Sequence, residues 1–123
     1  MTPTLLAAGY CRSGLSSDPC PLPGQIDQIL SHATKQEMRL TAMFADYAGV
    51  GPHDRRLGLT GLLAAVEDGS VNVVVVASMD RLSRNIEELR TLLYFFRENG
   101  VALHVAGQGP FDPLSMGRSV LAR

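Results

Sequence analysis

Lysine is nearly absent from this chain. Of its 11 basic residues only Lys35 is a lysine, and the remainder are arginines. The 12 acidic residues leave a formal net charge of -1, so the chain lacks the basic excess with which a self-sufficient duplex binder releases counterions from DNA. Cysteine is scarce as well. Cys11 and Cys20 make no metal-type spacing with each other or with His32, His53 and His104, so no zinc site is expected; one reads as a small core residue and the other as a loop thiol. No window approaches the roughly 18 consecutive apolar residues of a membrane span. The opening Met-Thr-Pro-Thr-Leu-Leu lacks the basic start of a secretory signal. A cytoplasmic protein with no membrane partner is the expectation. At 123 residues and 46% hydrophobic content, one domain with a packed core accounts for the chain.

Strand-like and helix-like segments alternate along the sequence. Leu5 to Arg12 reads as a first strand, and Ser13 to Gly24, rich in Ser, Pro and Gly, as the loop at its exit. Ile26, Ile29, Leu30 and Ala33 recur at helical spacing and predict an apolar stripe facing a sheet. Leu40 to Ala45 is a second strand, followed by a loop from Asp46 to Arg55 that Gly49, Gly51 and Pro52 keep irregular and that is expected to move. Leu59, Leu62, Leu63 and Val66 mark the next helix, ended by Gly69; Val71 to Ala77 is the third strand. Ile86, Leu89, Leu92, Leu93 and Phe96 stripe another helix up to Asn99-Gly100, and Val101 to Ala106 is a fourth strand. Such alternation with short connections implies an α/β domain with a largely parallel sheet and helices on its faces. Gly107 to Pro110 is a break, and Asp112-Pro113 starts one more helix that stops almost at once. The expected division is a domain over residues 1–110 and the start of a C-terminal helix over 111–123. Leu114, Met116, Val120 and Leu121 on that helix would leave an apolar face seeking a partner.

The chemistry is concentrated where the third strand ends. Val71-Asn-Val-Val-Val-Val-Ala empties directly into Ser78-Met-Asp-Arg-Leu-Ser-Arg-Asn85. A β-branched run without alternation is the signature of a central parallel strand covered on both faces. Ligands of open α/β sheets bind beyond the ends of such strands. Asp80, Arg81 and Arg84 therefore lie where anion chemistry is expected, and the spacing of Arg81 and Arg84 sets both guanidinium groups on one side of a following helix. Two adjacent guanidiniums suit a phosphate. The competing reading is a capped helix start, with Asp80 or Ser83 satisfying free N–H groups and the arginines solvated.

The segment Ser78 to Asn85 resembles the signature of the resolvase and invertase family of serine recombinases, in which a hydrophobic strand runs into Asp-Arg-Leu-Ser/Gly-Arg. Tyr10-Cys11-Arg12 resembles that family's opening strand, Gln25 falls where a Gln commonly starts its first helix, and Arg56-Leu57-Gly58-Leu59 matches its Arg-x-Gly-Leu. The resemblance extends from about Leu5 to about Leu121. It implies a small flavodoxin-like, three-layer domain. It also implies phosphoryl transfer: a serine hydroxyl attacks a DNA phosphodiester, leaving a phosphoserine link and a free 3′ hydroxyl, with no metal or nucleotide cofactor. Such chemistry needs cations around the phosphate oxygens. By resemblance Arg12, Arg56, Arg81 and Arg84 supply them, Asp80 orients an arginine or acts as an acid or base toward the leaving oxygen, and Gln25 hydrogen-bonds within the cluster; Gln25 and Arg55 are the expected contacts to the DNA phosphate. Taken singly, Arg56 and Gln25 are equally well read as helix-start residues, and Arg12 as a partner for Asp80.

One departure weighs against those matches. The family's first strand ends Tyr-x-Arg-x-Ser, the Ser being the nucleophile, whereas this chain reads Tyr10-Cys11-Arg12-Ser13-Gly14. Gly14 stands at the nucleophile's place, and Ser13 is one residue early. Strand alternation turns Ser13 to the face opposite Arg12, unless a deletion where the chain turns brings it round. Ser16 and Ser17 lie in a Ser-Ser-Asp-Pro string typical of a turn. Two readings follow: a recombinase-like catalytic domain for site-specific DNA recombination, its nucleophile displaced to Ser13 or lost; or a catalytically inactive binding module of the same fold that pairs with recombinases or with itself. An α/β enzyme acting on a small phosphorylated ligand is a weaker third. In the family a long helix for dimerisation and DNA contact and a separate DNA-binding domain follow the catalytic domain; the short tail here predicts weak DNA binding and self-association.

Overall fold

Four consecutive valines, Val73 to Val76, are each at most 2% exposed and form the centre of the sheet. Val74 and Val76 join the core beneath one face, and Val73 and Val75 the core beneath the other. A strand covered on both faces has no use for polar alternation, which accounts for the unbroken apolar run. The computed structural model describes residues 4–14, 20–47 and 56–111. Its elements are β1 (Leu6–Ser13), α1 (Leu22–Lys35), β2 (Arg39–Tyr47), α2 (Leu57–Glu67), β3 (Val73–Val76), α3 (Ile86–Glu98), β4 (Ala102–Val105) and β5 (Gly109–Pro110), with a single 3₁₀ turn at Met79–Arg81 between β3 and α3. Strand order is β2-β1-β3-β4-β5. The first three pairings are parallel, and β4–β5 is antiparallel.

The two cores define three layers. Ile29 and Ala33 of α1 pack with Ala7, Cys11, Val73 and Val75 on one face. Leu59, Leu62 and Val66 of α2 and Leu89, Leu92, Leu93 and Phe96 of α3 pack with Ala8, Tyr10, Val74, Val76 and Leu103 on the other. α3 starts where the Asn85 side chain accepts the Glu88 N–H at 3.0 Å, and it ends at a Gly100 whose φ of 69° lies in the left-handed region that favours glycine. The mixed, mostly parallel α/β sheet expected from the alternation is the one formed.

Several details differ from the sequence expectation. Leu30 is 45% exposed, because the inward row of α1 is Gln25, Ile29, His32 and Ala33 and Leu30 lies a helical step off it. Ile86 is also exposed, standing at the mouth of α3 ahead of its buried row. β2 runs past Ala45, so Asp46 ends a strand rather than opening a loop, and the rest of the expected mobile loop, residues 48–55, lies outside the described residues. The Gly107–Pro110 break holds a two-residue edge strand, a place where proline's missing N–H costs no ladder bond. The expected C-terminal helix lies outside the described residues.

His32 and His104 form a buried pair that joins α1 to β4. The Gly107 N–H donates to His32 Nδ1 at 3.1 Å, and His32 Nε2 lies 3.0 Å from His104 Nδ1. A backbone N–H only donates, so His32 Nδ1 is the acceptor, its proton sits on Nε2, and His104 Nδ1 accepts in turn. A proton added to either Nδ1 would break a link in this chain. Burial, chiefly, lowers both imidazoles below their usual range, with Lys35 adding to the effect at His32 and His32 adding to it at His104. The unfolded chain therefore binds protons that the folded pair refuses. Urea unfolding should give a stability that is full above about pH 6.5, the ordinary imidazole value, and that falls as the pH drops below it toward the lowered folded values. Replacing both histidines by Gln should flatten that part of the profile.

Gly58 meets backbone rather than side chain: a Cβ there would collide with the Ala45 carbonyl. The glycine of Arg-x-Gly-Leu is thus required by the close approach of α2 to β2. Gly58→Ala should lower unfolding free energy by about 1–3 kcal/mol, the usual cost of overpacking, measured by denaturant titration.

Candidate phosphate site at the ends of β1 and β3

The chain leaves β1 for β2 on one side and returns to β3 on the other, so the ends of β1 and β3 flank the crevice where strand order reverses. Arg12, Ser13 and Gly14 stand at the end of β1, and Ala77 to Arg81 at the end of β3. Two side chains fasten the end of β1, and one of them comes from the end of β3. Gln25, fully buried on the first turns of α1, accepts the Arg12 N–H at 3.0 Å and donates to the Arg12 carbonyl at 2.9 Å and the Cys20 carbonyl at 2.8 Å. Arg81 reaches from the 3₁₀ turn to the same two carbonyls, Arg12 at 2.9 Å and Cys20 at 3.2 Å. Gln25 is therefore a clamp on backbone at the end of β1.

The expectation that Arg81 and Arg84 share one side of a helix needs correcting. The Ser83 hydroxyl accepts the Asn85 N–H at 3.0 Å and Asn85 caps α3, so local side-chain bonds hold the chain out of helix until Ile86. Arg81 turns toward β1, whereas Arg84 is exposed and makes no hydrogen bond or ion pair among the described residues. Asp80 is exposed too. Its carboxylate accepts the Ser78 hydroxyl, and no ion pair between Asp80 and an arginine forms among the described residues. Arg55 lies outside the described residues, as do Ser16, Ser17 and His53.

Arg12 and Ser13 are consecutive residues of β1, paired with Asp46 and Tyr47 of β2. Strand alternation sets Arg12 on the face of Ala8 and Tyr10, and Ser13 on the face of Ala7 and Cys11. Ser13 is 7% exposed, and its Oγ lies 3.4 Å from the Gly14 carbonyl oxygen. On the same buried face, burial pushes the Cys11 thiol up to about 11, so it is no nucleophile at neutral pH.

Arg56 belongs to a second network, beside the first. It precedes α2 in a left-handed conformation, φ 46° and ψ 56°. Its Nη2 donates to the Leu82 carbonyl and, at 3.0 Å, to the Tyr10 hydroxyl; its Nη1 pairs with Glu88 Oε1 at 2.7 Å. The Tyr10 hydroxyl donates to Asp46 Oδ2 at 2.7 Å, and Asp46 accepts the Gly58 and Leu59 N–H groups at 2.7 and 2.8 Å. Burial, above all, raises the Tyr10 phenol so that it stays protonated as a donor. The sequence offered Tyr10 only as part of the opening-strand resemblance and Asp46 only as the first residue of a loop, and nothing in it marked Glu88. Asp46 precedes the N–H groups it caps by 12 and 13 residues, beyond the reach of any local capping pattern. Tyr10, two residues before Arg12, was legible from strand parity alone. Among the described residues no group of three or more His, Cys, Asp or Glu could hold a metal ion, and no helix is long and apolar enough to cross a membrane.

Over residues 7–122 the chain matches the family model for the resolvase N-terminal domain. It is 30% identical over 113 residues to a resolvase/recombinase of Pseudomonas putida, covering 92% of this chain and 58% of that protein; the chain thus spans little more than half of this relative. Its fold is similar to that of a resolvase family site-specific recombinase from Streptococcus pneumoniae, with a TM-score of 0.81, 19% identity, and coverage of 97% of this chain and 86% of that one. It is also similar to the C-terminal catalytic domain of ISC1926 TnpA, an IS607-like serine recombinase, with a TM-score of 0.72, 29% identity, and coverage of 83% and 69%.

Arg81 donates to two backbone carbonyls from a half-buried position, so its role in stability exceeds that of a solvated arginine. Arg81→Ala should cost about 1–3 kcal/mol in chemical denaturation, in line with hydrogen bonds from a charged donor, whereas Arg84→Ala should stay within about 0.5 kcal/mol of the parent.

Proposed function

This chain belongs to the resolvase N-terminal domain family, and from that premise we propose that it is a serine-recombinase-like domain for site-specific DNA recombination that receives a DNA phosphate at the ends of β1 and β3. The observation that carries the reading is the Arg81 guanidinium lodged on the Arg12 carbonyl at the point where strand order reverses. Arg12, Arg81 and Arg84, with Arg55 and Arg56 beside them, stabilise charge on the phosphate oxygens, and Asp80, exposed at the rim, orients an arginine or serves the leaving oxygen. The reaction needs no metal or nucleotide. DNA binding by this chain alone is weak, and it works as a homo-oligomer or with a partner recombinase in the cytoplasm. By this reading residues 1–110 are the catalytic domain and 111–123 begin a helix that meets the partner.

Gly14 and the burial of Ser13 favour a second reading, an inactive module of the same fold that pairs with recombinases or with itself. A glycine offers no oxygen to phosphorus, and Ser13 lies on the face away from Arg12. Three proteins separate the two, each fused to a DNA-binding module and given a nicked suicide substrate: the parent, Ser13→Ala and Gly14→Ser. The expected result is no covalent adduct with the parent and an adduct with Gly14→Ser. An adduct with the parent that vanishes in Ser13→Ala would make Ser13 the working nucleophile. Silence from all three, with folding verified by circular dichroism, would favour the module.

A further inference from the structure

Glu88 stands between Arg56 and solvent. Of the three acceptors on the Arg56 guanidinium, the Leu82 carbonyl and the Tyr10 hydroxyl are uncharged, and Glu88 alone brings a negative charge into direct contact. The Arg56 side chain is 12% exposed and that of Glu88 48%, so the carboxylate is the outer member of the pair. Glu88 is in turn held in place. It lies in the first turn of α3, its backbone N–H is bound by the Asn85 side chain at 3.0 Å, and a carboxylate is favoured at that end of a helix. Leu82, whose carbonyl accepts from Arg56 Nη2, immediately follows the 3₁₀ turn that carries Arg81.

We propose that Glu88 is a positioning residue for Arg56: its carboxylate occupies the place of a phosphate oxygen on the guanidinium, and a DNA phosphate binds Arg56 by displacing it. This rests on the reading that Arg56 serves a DNA phosphate. A carboxylate and a phosphate present the same paired-oxygen geometry to a guanidinium, so exchange leaves the Tyr10 and Leu82 bonds in place and moves only the half-exposed partner. The contact therefore sets the guanidinium's orientation before DNA arrives and opposes its binding at the same time.

The test is binding of a short duplex oligonucleotide at low ionic strength, followed by fluorescence anisotropy and by the ¹⁵N resonance of the Arg56 Nε–H. Glu88→Gln keeps an oxygen acceptor and removes the charge. Glu87→Gln, in the same first turn, makes the same change in net charge and is not among the groups bonded to Arg56. Glu88→Gln is expected to tighten binding about two- to fivefold beyond Glu87→Gln, the range set by a partly exposed ion pair, and to steepen the salt dependence. The Arg56 Nε–H resonance should shift on adding DNA. In an Arg56→Ala background the advantage of Glu88→Gln should disappear. Equal affinities for Glu88→Gln and Glu87→Gln, with Arg56→Ala still weakening binding, would overturn the role of Glu88 and leave Arg56 at the phosphate. Arg56→Ala binding as tightly as the parent, with an unmoved resonance, would overturn the phosphate role of Arg56 itself and Glu88's role with it. Circular dichroism of each variant verifies folding, and Glu88→Ala repeats the comparison should the Gln variant unfold.

Discussion

Asp46 is a carboxylate with 8% exposure at the end of an edge strand, and three donors converge on it: the Gly58 and Leu59 N–H groups and the Tyr10 hydroxyl. Burying a charge is tolerable only where hydrogen bonds replace its water, and here the donors come from a helix start and a neighbouring strand. The bond to Leu59 and the bond to Tyr10 end on the same oxygen, so the first turn of α2 cannot shift without disturbing β1. The left-handed Arg56 and the close approach of Gly58 to Ala45 lie at the helix start that this carboxylate caps. Arg56 then inherits its position from Tyr10. A single side chain thus joins the edge strand, its neighbour β1 and the arginine beside the candidate site.

Much of the architecture was legible because it rests on local period. The valine run of β3 and the stripes of α2 and α3 carry their burial in their spacing, and Asn99-Gly100 stops α3 where such a pair should. Leu30 and Ile86 show the limit of that signal. Both are apolar at helical spacing, yet each lies outside the row that meets the sheet, and spacing alone does not say how wide the covered stripe is. β5 escaped notice because a two-residue pairing has no period at all.

The site was less legible than the fold, since its contacts are made across distance in sequence. Arg12, Arg56, Arg81 and Arg84 look alike as letters but occupy four different environments. Arg81 is drawn into the backbone of the β1 exit, Arg56 is braced by Glu88 and Tyr10, and Arg84 is free among the described residues because Asn85 starts α3 only after it. Arg12 is best defined by its backbone, whose N–H and carbonyl are both taken by Gln25. Gln25 spends its buried amide on backbone, holding the Arg12 N–H and carbonyl and the Cys20 carbonyl. The missed members, Asp46 and Glu88, act 12 and 32 residues away from their partners, where no sequence pattern reaches.

The paired grip of Gln25 and Arg81 on the Arg12 and Cys20 carbonyls separates two properties that would otherwise be linked. Both ends of the intervening stretch are anchored by side chains from elsewhere in the fold, so the anchoring does not depend on how many residues lie between them. Changing the length of a closed loop is thermodynamically mild, each doubling costing only about 0.6 kcal/mol. A residue gained or lost between Arg12 and Cys20 would therefore cost little in closure entropy, and one placed directly after Arg12 would change which side chain stands one or two places beyond that arginine. In evolutionary terms, the anchors preserve the fold on either side of the stretch and leave the register of its side chains to be selected separately.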